Sequence, residues 1–181
     1  MTTLTQAEKQ FLVDHSRTDP AWFWDAVLGC SSVYDKQLEM ARAVRDHNRV
    51  AVVGANGTGK DWQSARVMLW WMATRYPAIC VVLGPTHRQV SDIVWKEARS
   101  AYLTARAPLG GQMYRTARWE LDDRHYAVGF ATDNEYNIQG FHSPNLLVIL
   151  TEAHNIEQSH IDAVKRLNPA RMLLTGNAFA S

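Results

Sequence analysis

The fold is decided by the stretch Val50-Ala51-Val52-Val53-Gly54-Ala55-Asn56-Gly57-Thr58-Gly59-Lys60-Asp61. Four strand-forming residues lead into a glycine-rich loop, and Gly54, Gly59 and Lys60 match the phosphate-loop template G-x-x-x-x-G-K-[ST]. Glycines let successive backbone N–H groups curl around a phosphate, and the helix that follows directs its positive dipole end at the same anion. The stretch therefore predicts a buried parallel strand, a nucleotide-binding loop from Gly54 to Asp61, and a mobile cation at Lys60. The alternative is an ordinary glycine turn between a strand and a helix.

Length and composition indicate a globular chain with a sizeable core. It has 181 residues, of which 46% are hydrophobic and 20% are charged. Because 19 basic and 18 acidic residues nearly balance, the net charge of +1 argues neither for nor against a nucleic-acid partner. Cys30 and Cys80 are far apart and lack the spacing of zinc ligands. No signal peptide and no long apolar run is present, so we expect a soluble cytoplasmic protein without a membrane partner.

The N-terminal segment is predicted to form helices that pack on the rest of the chain. Residues 5–14 are typical of a short polar helix. Asp19 as N-cap and Pro20 at the first helical position open a second helix, which Gly29 closes. The aromatic residues 22–24 are expected to pack in the core, with base stacking as the alternative. We therefore expect a helical segment over residues 1–33 and one main domain over residues 34–181.

Helices and apolar runs alternate along the main domain. Three further runs are predicted to be buried strands: 78–83, 146–150 and 171–175. Helices are predicted near residue 34 and at 61–75, 86–105 and 156–167. Residues 118–121 and 125–130 flank Asp122-Asp123-Arg124 and predict a β-hairpin. The pattern predicts an α/β fold of the P-loop NTPase type, with a mostly parallel sheet, helices on both faces and a hairpin insertion.

Two groups of polar residues are expected at the ligand edge of this sheet. Gln37 precedes the phosphate loop in the chain, at a position where helicase-like ATPases contact adenine with an amide; an exposed helical glutamine is the alternative. Thr86 and Gln89 have the spacing of a capping box for the helix that follows. Because this loop follows a buried strand, Thr86, His87 and Arg88 are also candidate contacts to DNA or nucleotide.

The residues at the end of strand 146–150 depart from the usual phosphate-loop partner motif. An Asp-Glu pair is expected there, with the Asp helping to hold Mg²⁺ and the Glu polarising the attacking water. Glu152 stands at the position of that base, whereas Thr151 replaces the Asp. Asp61 in turn stands where Ser or Thr normally offers a hydroxyl to Mg²⁺. We hypothesise a reciprocal swap of hydroxyl and carboxylate across the ion; an inactivating change at Thr151 and a register error are the alternatives.

Together these motifs resemble the ATPase domain of a phage large terminase, the motor that pumps viral DNA into a procapsid. The resemblance spans roughly residues 34–177 and depends on the order of the motifs. They are Gln37, Gly54 to Lys60, Pro85-Thr86, Ile138-Gln139-Gly140-Phe141-His142, Glu152-Ala153 and Thr175-Gly176-Asn177. The resemblance implies ATP and Mg²⁺ as cofactors, with Lys60 and Glu152 as catalytic residues. It also implies a strand order in which one strand separates the loop strand from the acidic strand.

The resemblance further implies a coupling role and a set of partners. Thr175-Gly176-Asn177 resembles the coupling motif that senses the γ-phosphate, with Asn177 as the polar sensor. The implied partners are double-stranded DNA, the portal protein, the small terminase subunit and further copies in a ring, in the infected host cytoplasm and transiently on the procapsid portal. Full-length terminases carry a nuclease after this domain. Because the chain ends four residues past Asn177, we expect no nuclease and an incomplete end to the ATPase domain.

Two positions where many relatives carry an arginine hold other residues, namely Asn56 and Gln139. An arginine finger, which contributes about 10³–10⁵ in rate to related phosphoryl transfers, would therefore come from elsewhere. Arg115, Arg118 and Arg124 around the predicted hairpin are candidates that could reach a neighbouring subunit.

Two other functions remain open at the level of the sequence. One is a nucleotide-binding module with little activity alone. The other is a fragment of a DEAH-type helicase (superfamily 2), because Thr151-Glu152-Ala153-His154 is one letter from that box. Thr175-Gly176-Asn177 in place of a Ser-Ala-Thr motif counts against the helicase.

Overall fold

The computed structural model describes residues 5–132, 138 and 140–178. Seven strands of this part form one sheet: β1 (Arg49–Val53), β2 (Ala78–Gly84), β3 (Gln112–Met113), β4 (Arg118–Asp122), β5 (His125–Ala131), β6 (Asn145–Leu150) and β7 (Arg171–Gly176). Their order is β1-β7-β6-β2-β5-β4-β3. The pairs from β1 through β5 are parallel, and β4 and β3 continue the sheet in antiparallel pairs. As the resemblance implied, β7 separates the loop strand from the acidic strand.

Helices precede or connect the strands. They are α1 (Gln6–Thr18), α2 (Pro20–Trp22) with a π-helical continuation at Phe23–Val27, α3 (Asp35–Asp46), α4 (Lys60–Thr74), α5 (Trp95–Thr104) preceded by a π-helical segment at Gln89–Val94, and α6 (Gln158–Arg166). The Asp19 carboxylate accepts hydrogen bonds from Ala21 N and Trp22 N at 3.0 and 3.2 Å, which confirms it as the N-cap. None of the helices in the described residues has the length and apolarity that a membrane crossing requires.

The sheet is covered on both faces, as the sequence predicted. Alternating side chains of β2 separate into two cores: Cys80 and Val82 pack with α4 and α5, whereas Ile79, Val81 and Leu83 pack with α6. The faces differ because successive residues of a strand point in opposite directions. Nearly every residue of α4 is buried, because the helix lies between the sheet and α1. Trp70 in α4 donates an indole hydrogen bond of 2.7 Å to Ser16 O in α1.

The position of β1 corrects the prediction of a fully buried loop strand. Within the described residues β1 pairs with β7 alone and forms one edge of the sheet. Val50 is buried, but Val53 is 65% exposed and Ala51 is exposed as well. The apolar run lines a cavity beside the phosphate loop, so its hydrophobicity reflects that cavity as well as the core.

The predicted hairpin is present and belongs to the main sheet. β4 and β5 pair in antiparallel fashion, while the other edge of β5 pairs in parallel with β2. The first strand of the hairpin therefore lies far from β1 in the strand order. In the Gln-Gly-Phe-His segment, Gln139 lies outside the described residues.

Candidate active site

The phosphate loop connects the end of β1 to the start of α4. Its backbone needs glycine at two positions, because Gly57 and Gly59 both have φ of +78°. Gly59 is also the N-cap of α4, and a β-carbon there would lie 3.1 Å from Gln37 Nε2. The N–H groups of the first turn of α4 are thereby left facing the loop, where they can bind an anion.

Lys60 is buried and folds back into the loop. Its ammonium group donates hydrogen bonds to Gly54 O at 2.9 Å, Ala55 O at 2.8 Å and Asn177 Oδ1 at 3.0 Å. All three acceptors are neutral oxygens, so the positive charge is not neutralised by a carboxylate. The third contact joins two motifs that are 117 residues apart in the chain. The cation predicted to bind phosphate is therefore in contact with the amide of the predicted coupling motif.

Asp61 and Thr151 face each other directly. The Thr151 hydroxyl, which is fully buried, donates a hydrogen bond of 2.7 Å to Asp61 Oδ1. The side chains come from different elements, the first turn of α4 and the residue after β6. The hydroxyl and the carboxylate of the hypothesised swap are thus within contact distance. Oxygens 2.7 Å apart can be neighbouring ligands of one ion, whereas ligands on opposite sides of Mg²⁺ would lie about 4 Å apart. The swap itself stays a prediction.

The same two oxygens suit a magnesium ion by their chemistry. Mg²⁺ prefers oxygen ligands and is usually held by one or two carboxylates together with substrate phosphates and water. Asp61 and Thr151 supply one carboxylate and one hydroxyl beside the phosphate loop. In the described residues, no three His, Cys, Asp or Glu side chains cluster closely enough to hold a metal. These two residues would therefore hold Mg²⁺ jointly with nucleotide phosphates.

Gln89 is a site residue whose position the sequence reasoning missed. Its backbone N–H donates to Thr86 Oγ1 at 3.2 Å, which confirms one half of the predicted capping box. Its side chain instead donates to both Asp61 carboxylate oxygens at 3.3 Å and to Thr151 Oγ1 at 3.4 Å. Gln89 also begins the π-helical segment, a distortion that occurs often at functional sites. The available signal was a polar residue one turn after a buried strand, on the ligand edge.

Glu152 and the coupling motif are connected through His154. Glu152 has φ of +50°, an uncommon conformation for a residue with a side chain. Its Oε2 lies 3.5 Å from His154 Nδ1, and Asn177 N donates to the same nitrogen at 3.3 Å. The Asn177 hydrogen bond requires Nδ1 without a proton. The residue predicted as the base and the residue predicted as the sensor therefore share one imidazole.

Gln37 lies on the wall of a cavity of about 800 Å³ between α3, β1 and the phosphate loop. The lining residues are Tyr34, Lys36, Gln37, Glu39, Met40, Ala43, Val50 to Gly54, Gly57 to Lys60, and Gln63. The volume lies within the usual range for ligand and cofactor sites. Gln37 Oε1 accepts from Tyr34 N at 3.2 Å, while its Nε2 lies near Gly59. An amide thus faces the cavity beside the loop, where it can contact a nucleotide base.

The three candidate arginines lie away from this cavity. Arg115 is exposed, and its side chain has no hydrogen-bond or ionic partner among the described residues. Arg118 pairs with Glu120 at 2.9 Å. Arg124 stands in the β4–β5 turn, at the amino end of β5. Because β5 runs parallel to β2, this turn lies on the sheet edge opposite the phosphate loop. Any contribution of these arginines to catalysis therefore has to be made to another subunit.

The hypothesised swap predicts a non-additive pair of substitutions. Thr151→Asp alone would bring two carboxylates together, a repulsion of about 4 kcal/mol at ~4 Å and an effective dielectric of ~20. Asp61→Thr alone would remove the carboxylate beside the ion. The double variant should recover the Mg²⁺-dependent ATP binding that each single variant impairs, measured by calorimetry with and without Mg²⁺. Higher activity of Thr151→Asp alone, with little effect of Asp61→Thr, would show instead that Thr151 is a lesion.

Comparison with solved structures shows the fold of phage large terminase ATPase domains. The ATPase domain of the Thermus phage P74-26 large terminase matches with a TM-score of 0.62 and 17% identity, over 88% of this chain and 69% of that chain. The bacteriophage HK97 large terminase matches with a TM-score of 0.65 and 14% identity, over 91% of this chain and 37% of that chain. The large terminase of a thermophilic bacteriophage, solved in complex with ADP, matches with a TM-score of 0.61 and 16% identity, over 81% of this chain and 38% of that chain.

These matches establish the fold alone, because the sequence identities are only 14–17%. No protein-family model matches the sequence, and no curated protein matches it. The chain spans well under half of the HK97 terminase and of the ADP-bound terminase with which it aligns. The comparisons therefore describe the fold of this chain.

Proposed function

We propose that this chain is the ATP-binding and hydrolysing motor domain of a phage large terminase, which couples hydrolysis to translocation of double-stranded DNA. One observation carries the proposal: Lys60 Nζ donates a hydrogen bond to Asn177 Oδ1 at 3.0 Å. In a terminase-type fold this contact connects the group that binds phosphate to the motif that would report its loss. A nucleotide site without a motor function has no evident need for the contact.

Each site residue then has a defined task. Lys60 neutralises charge on the β- and γ-phosphates, and the phosphate-loop N–H groups hold them in position. Gln37 contacts the adenine edge through its amide. Glu152 orients and polarises the attacking water. Asp61 and Thr151 would hold Mg²⁺, which when bound neutralises charge on the phosphate oxygens.

The coupling step is assigned to Asn177 and His154. When the γ-phosphate departs, Lys60 loses an anionic partner and is left with neutral acceptors, of which Asn177 is one. Asn177 is also held by His154 through its backbone N–H, and His154 lies beside Glu152. A change at the phosphate would therefore reach β7 through a short series of hydrogen bonds. The DNA, portal protein, small terminase subunit and ring neighbours belong to this proposal as its partners, in the host cytoplasm.

A second candidate function is a nucleotide-binding module that hydrolyses poorly alone. It is favoured by the absence of an arginine from the lining of the nucleotide cavity, as far as the described residues show. An arginine supplied in trans would make hydrolysis depend on neighbouring copies. The two candidates therefore differ in how activity responds to assembly.

The ATPase rate per chain is expected to rise steeply with protein concentration and to rise further with DNA, because neighbouring copies would complete each site. Steady-state phosphate release over a range of chain concentrations measures this. A rate per chain that is low and independent of concentration and DNA would favour the binding module.

A mixing experiment identifies the arginine. Chains with Glu152→Gln keep their arginines, and chains with Arg115→Ala keep their own site, so a mixture should be more active than either variant. Arg166→Ala is the matched control, because Arg166 is an exposed arginine at the end of α6, is not one of the three candidates, and should leave activity unchanged. Failure of the mixture to recover activity would exclude Arg115 as the finger supplied in trans.

A further inference from the structure

A second cavity, of about 290 Å³, lies at the amino ends of the parallel strands, opposite the nucleotide cavity. Asn145 and Arg171, which begin β6 and β7, are part of its wall. Four arginines line it, and they come from four places in the chain: Arg17 in α1, Arg45 in α3, Arg75 after α4, and Arg171. We call this cavity the arginine pocket. Its position separates it from the phosphate loop by the length of the sheet.

Arg75 is the least expected of the four, because it is only 8% exposed. Its guanidinium lies over the rings of Trp71 and Trp70, at 3.7 and 4.3 Å from their centroids. It donates a hydrogen bond of 2.7 Å to the neutral hydroxyl of Thr74. Burial, together with the positive charges of Arg17 and Arg171, lowers the pKa of Arg75 to about 9. Buried arginines are ordinarily paired with an acid, and this one has no acidic partner among the described residues.

The other arginines leave the pocket strongly positive. Arg171 donates to neutral oxygens, including Val44 O at 2.8 Å and Asn48 Oδ1 at 2.7 Å. Arg45 alone of the four is paired with an acid, the exposed Asp46, at 2.7 Å. Arg17 is exposed, and its side chain has no hydrogen-bond or ionic partner in the described part of the chain. Four positive side chains thus share one directly paired carboxylate, Asp46, while the Asp19 carboxylate acts on Arg45 from a greater distance.

We propose that the arginine pocket binds a phosphate group, supplied either by a nucleic-acid backbone or by a free phosphate. Arg171 and Arg45 donate most of their N–H groups to protein oxygens, so they contribute mainly positive charge. Arg17 and Arg75 retain N–H groups, from which a tetrahedral oxyanion with more than one charge can accept hydrogen bonds on different sides. A planar carboxylate is matched by one guanidinium fork, so it would leave most of this charge uncompensated. The Trp71 ring supports Arg75, and the indole N–H of Trp71 is fixed by a 2.8 Å hydrogen bond to Asn145 O. The wall of the pocket is therefore held in place by its own contacts.

Arg17→Gln tests the proposal without disturbing the core, because Arg17 is an exposed helical residue. Arg42→Gln is the matched control: Arg42 is also an exposed helical arginine, it loses the same charge, and it does not line the pocket. Calorimetry with inorganic phosphate and with a short DNA duplex should show at least about tenfold weaker binding for Arg17→Gln, the size of one charge-assisted hydrogen bond. Arg42→Gln should change binding less than about twofold.

The two sources of phosphate are separated by the two ligands. Binding of inorganic phosphate that Arg17→Gln weakens selectively identifies a free phosphate site. If the chain binds the duplex but not inorganic phosphate, the site contacts a nucleic-acid backbone. Arg17→Gln should then weaken duplex binding selectively and reduce its salt dependence. Repeating the titrations with Lys60→Ala chains excludes the contribution of phosphate that binds at the phosphate loop. Equal effects of the two arginine variants, no binding of either ligand, or acetate binding as tightly as phosphate would each overturn the proposal. ATP affinity should be unchanged by Arg17→Gln, so this result is independent of the proposed motor function.

Discussion

Replacing Lys60 with alanine is expected to weaken ATP binding by about 100-fold or more. The ammonium group is the mobile cation of a loop that otherwise offers neutral N–H groups, and it is positioned within the loop by Gly54 O and Ala55 O. Charge-assisted hydrogen bonds contribute about 1.5–3 kcal/mol each, so the loss of two, one to each terminal phosphate, corresponds to about 10²–10⁴-fold in affinity. No other lysine among the described residues can replace it, because Lys36, the other lysine that lines the cavity, is engaged with Glu39.

Calorimetry with ATP and AMP separates the role of Lys60 from a general loss of structure. AMP lacks the β- and γ-phosphates, so Lys60→Ala should reduce the affinity for AMP much less than the affinity for ATP. Lys165→Ala is a matched control, because Lys165 is an exposed helical lysine paired with Asp162 on the far face of the sheet. Unchanged ATP affinity in Lys60→Ala would disprove the phosphate-loop assignment.

The contacts around Lys60 connect three motifs that are distant in sequence. Lys60 reaches Asn177 at 3.0 Å, Asn177 reaches His154 at 3.3 Å, and His154 lies 3.5 Å from Glu152. These residues lie at the ends of neighbouring strands or in the loops that follow them, so the sheet fixes their spacing. A side chain at Gly176 would disturb this arrangement, because even its β-carbon would lie 3.1 Å from His154 Nδ1. Close packing against His154 thus explains why glycine occupies this position.

Long apolar runs made the fold predictable from sequence. The strand predicted at 78–83 is observed at Ala78–Gly84, and the one predicted at 146–150 is observed at Asn145–Leu150. Both are buried on two faces, so their whole sequence is apolar and bounded by turn residues. The facing of Asp61 and Thr151 was also predictable, because a phosphate loop and the end of an acidic strand meet at one edge of a parallel sheet.

Residues with long-range partners could not be assigned from local spacing. Gln89 matched a capping box, yet its amide contacts Asp61, which is 28 residues away. The four arginines of the pocket are spread from Arg17 to Arg171, and their meeting depends on where three helices end and a strand begins. The edge position of β1 was hidden for a different reason: residues that line a cavity are as apolar as residues in a core.

Replacing Glu152 with glutamine is expected to reduce ATP turnover by about 10²–10⁴-fold while leaving ATP affinity nearly unchanged. A positioned general base contributes about that factor, and glutamine keeps the size of the side chain while removing its charge. Glutamine also has the same backbone preference, so the φ of +50° at this position costs the same in both chains. The measurement is single-turnover hydrolysis at saturating ATP, with affinity determined separately by calorimetry.

The split between binding and turnover is what distinguishes a base from a structural residue. If Glu152 mainly held His154 and the coupling motif in place, Glu152→Gln would keep a side chain of the same size beside His154 and lose little activity, whereas His154→Ala would lose as much as any Glu152 variant. If it held the metal, binding of Mg²⁺–ATP and turnover would fall together. Glu157→Gln, an exposed glutamate at the start of α6, should be without effect on both. A large loss of turnover with retained binding in Glu152→Gln alone therefore assigns the water-activating role to this carboxylate, because neither alternative separates the two quantities.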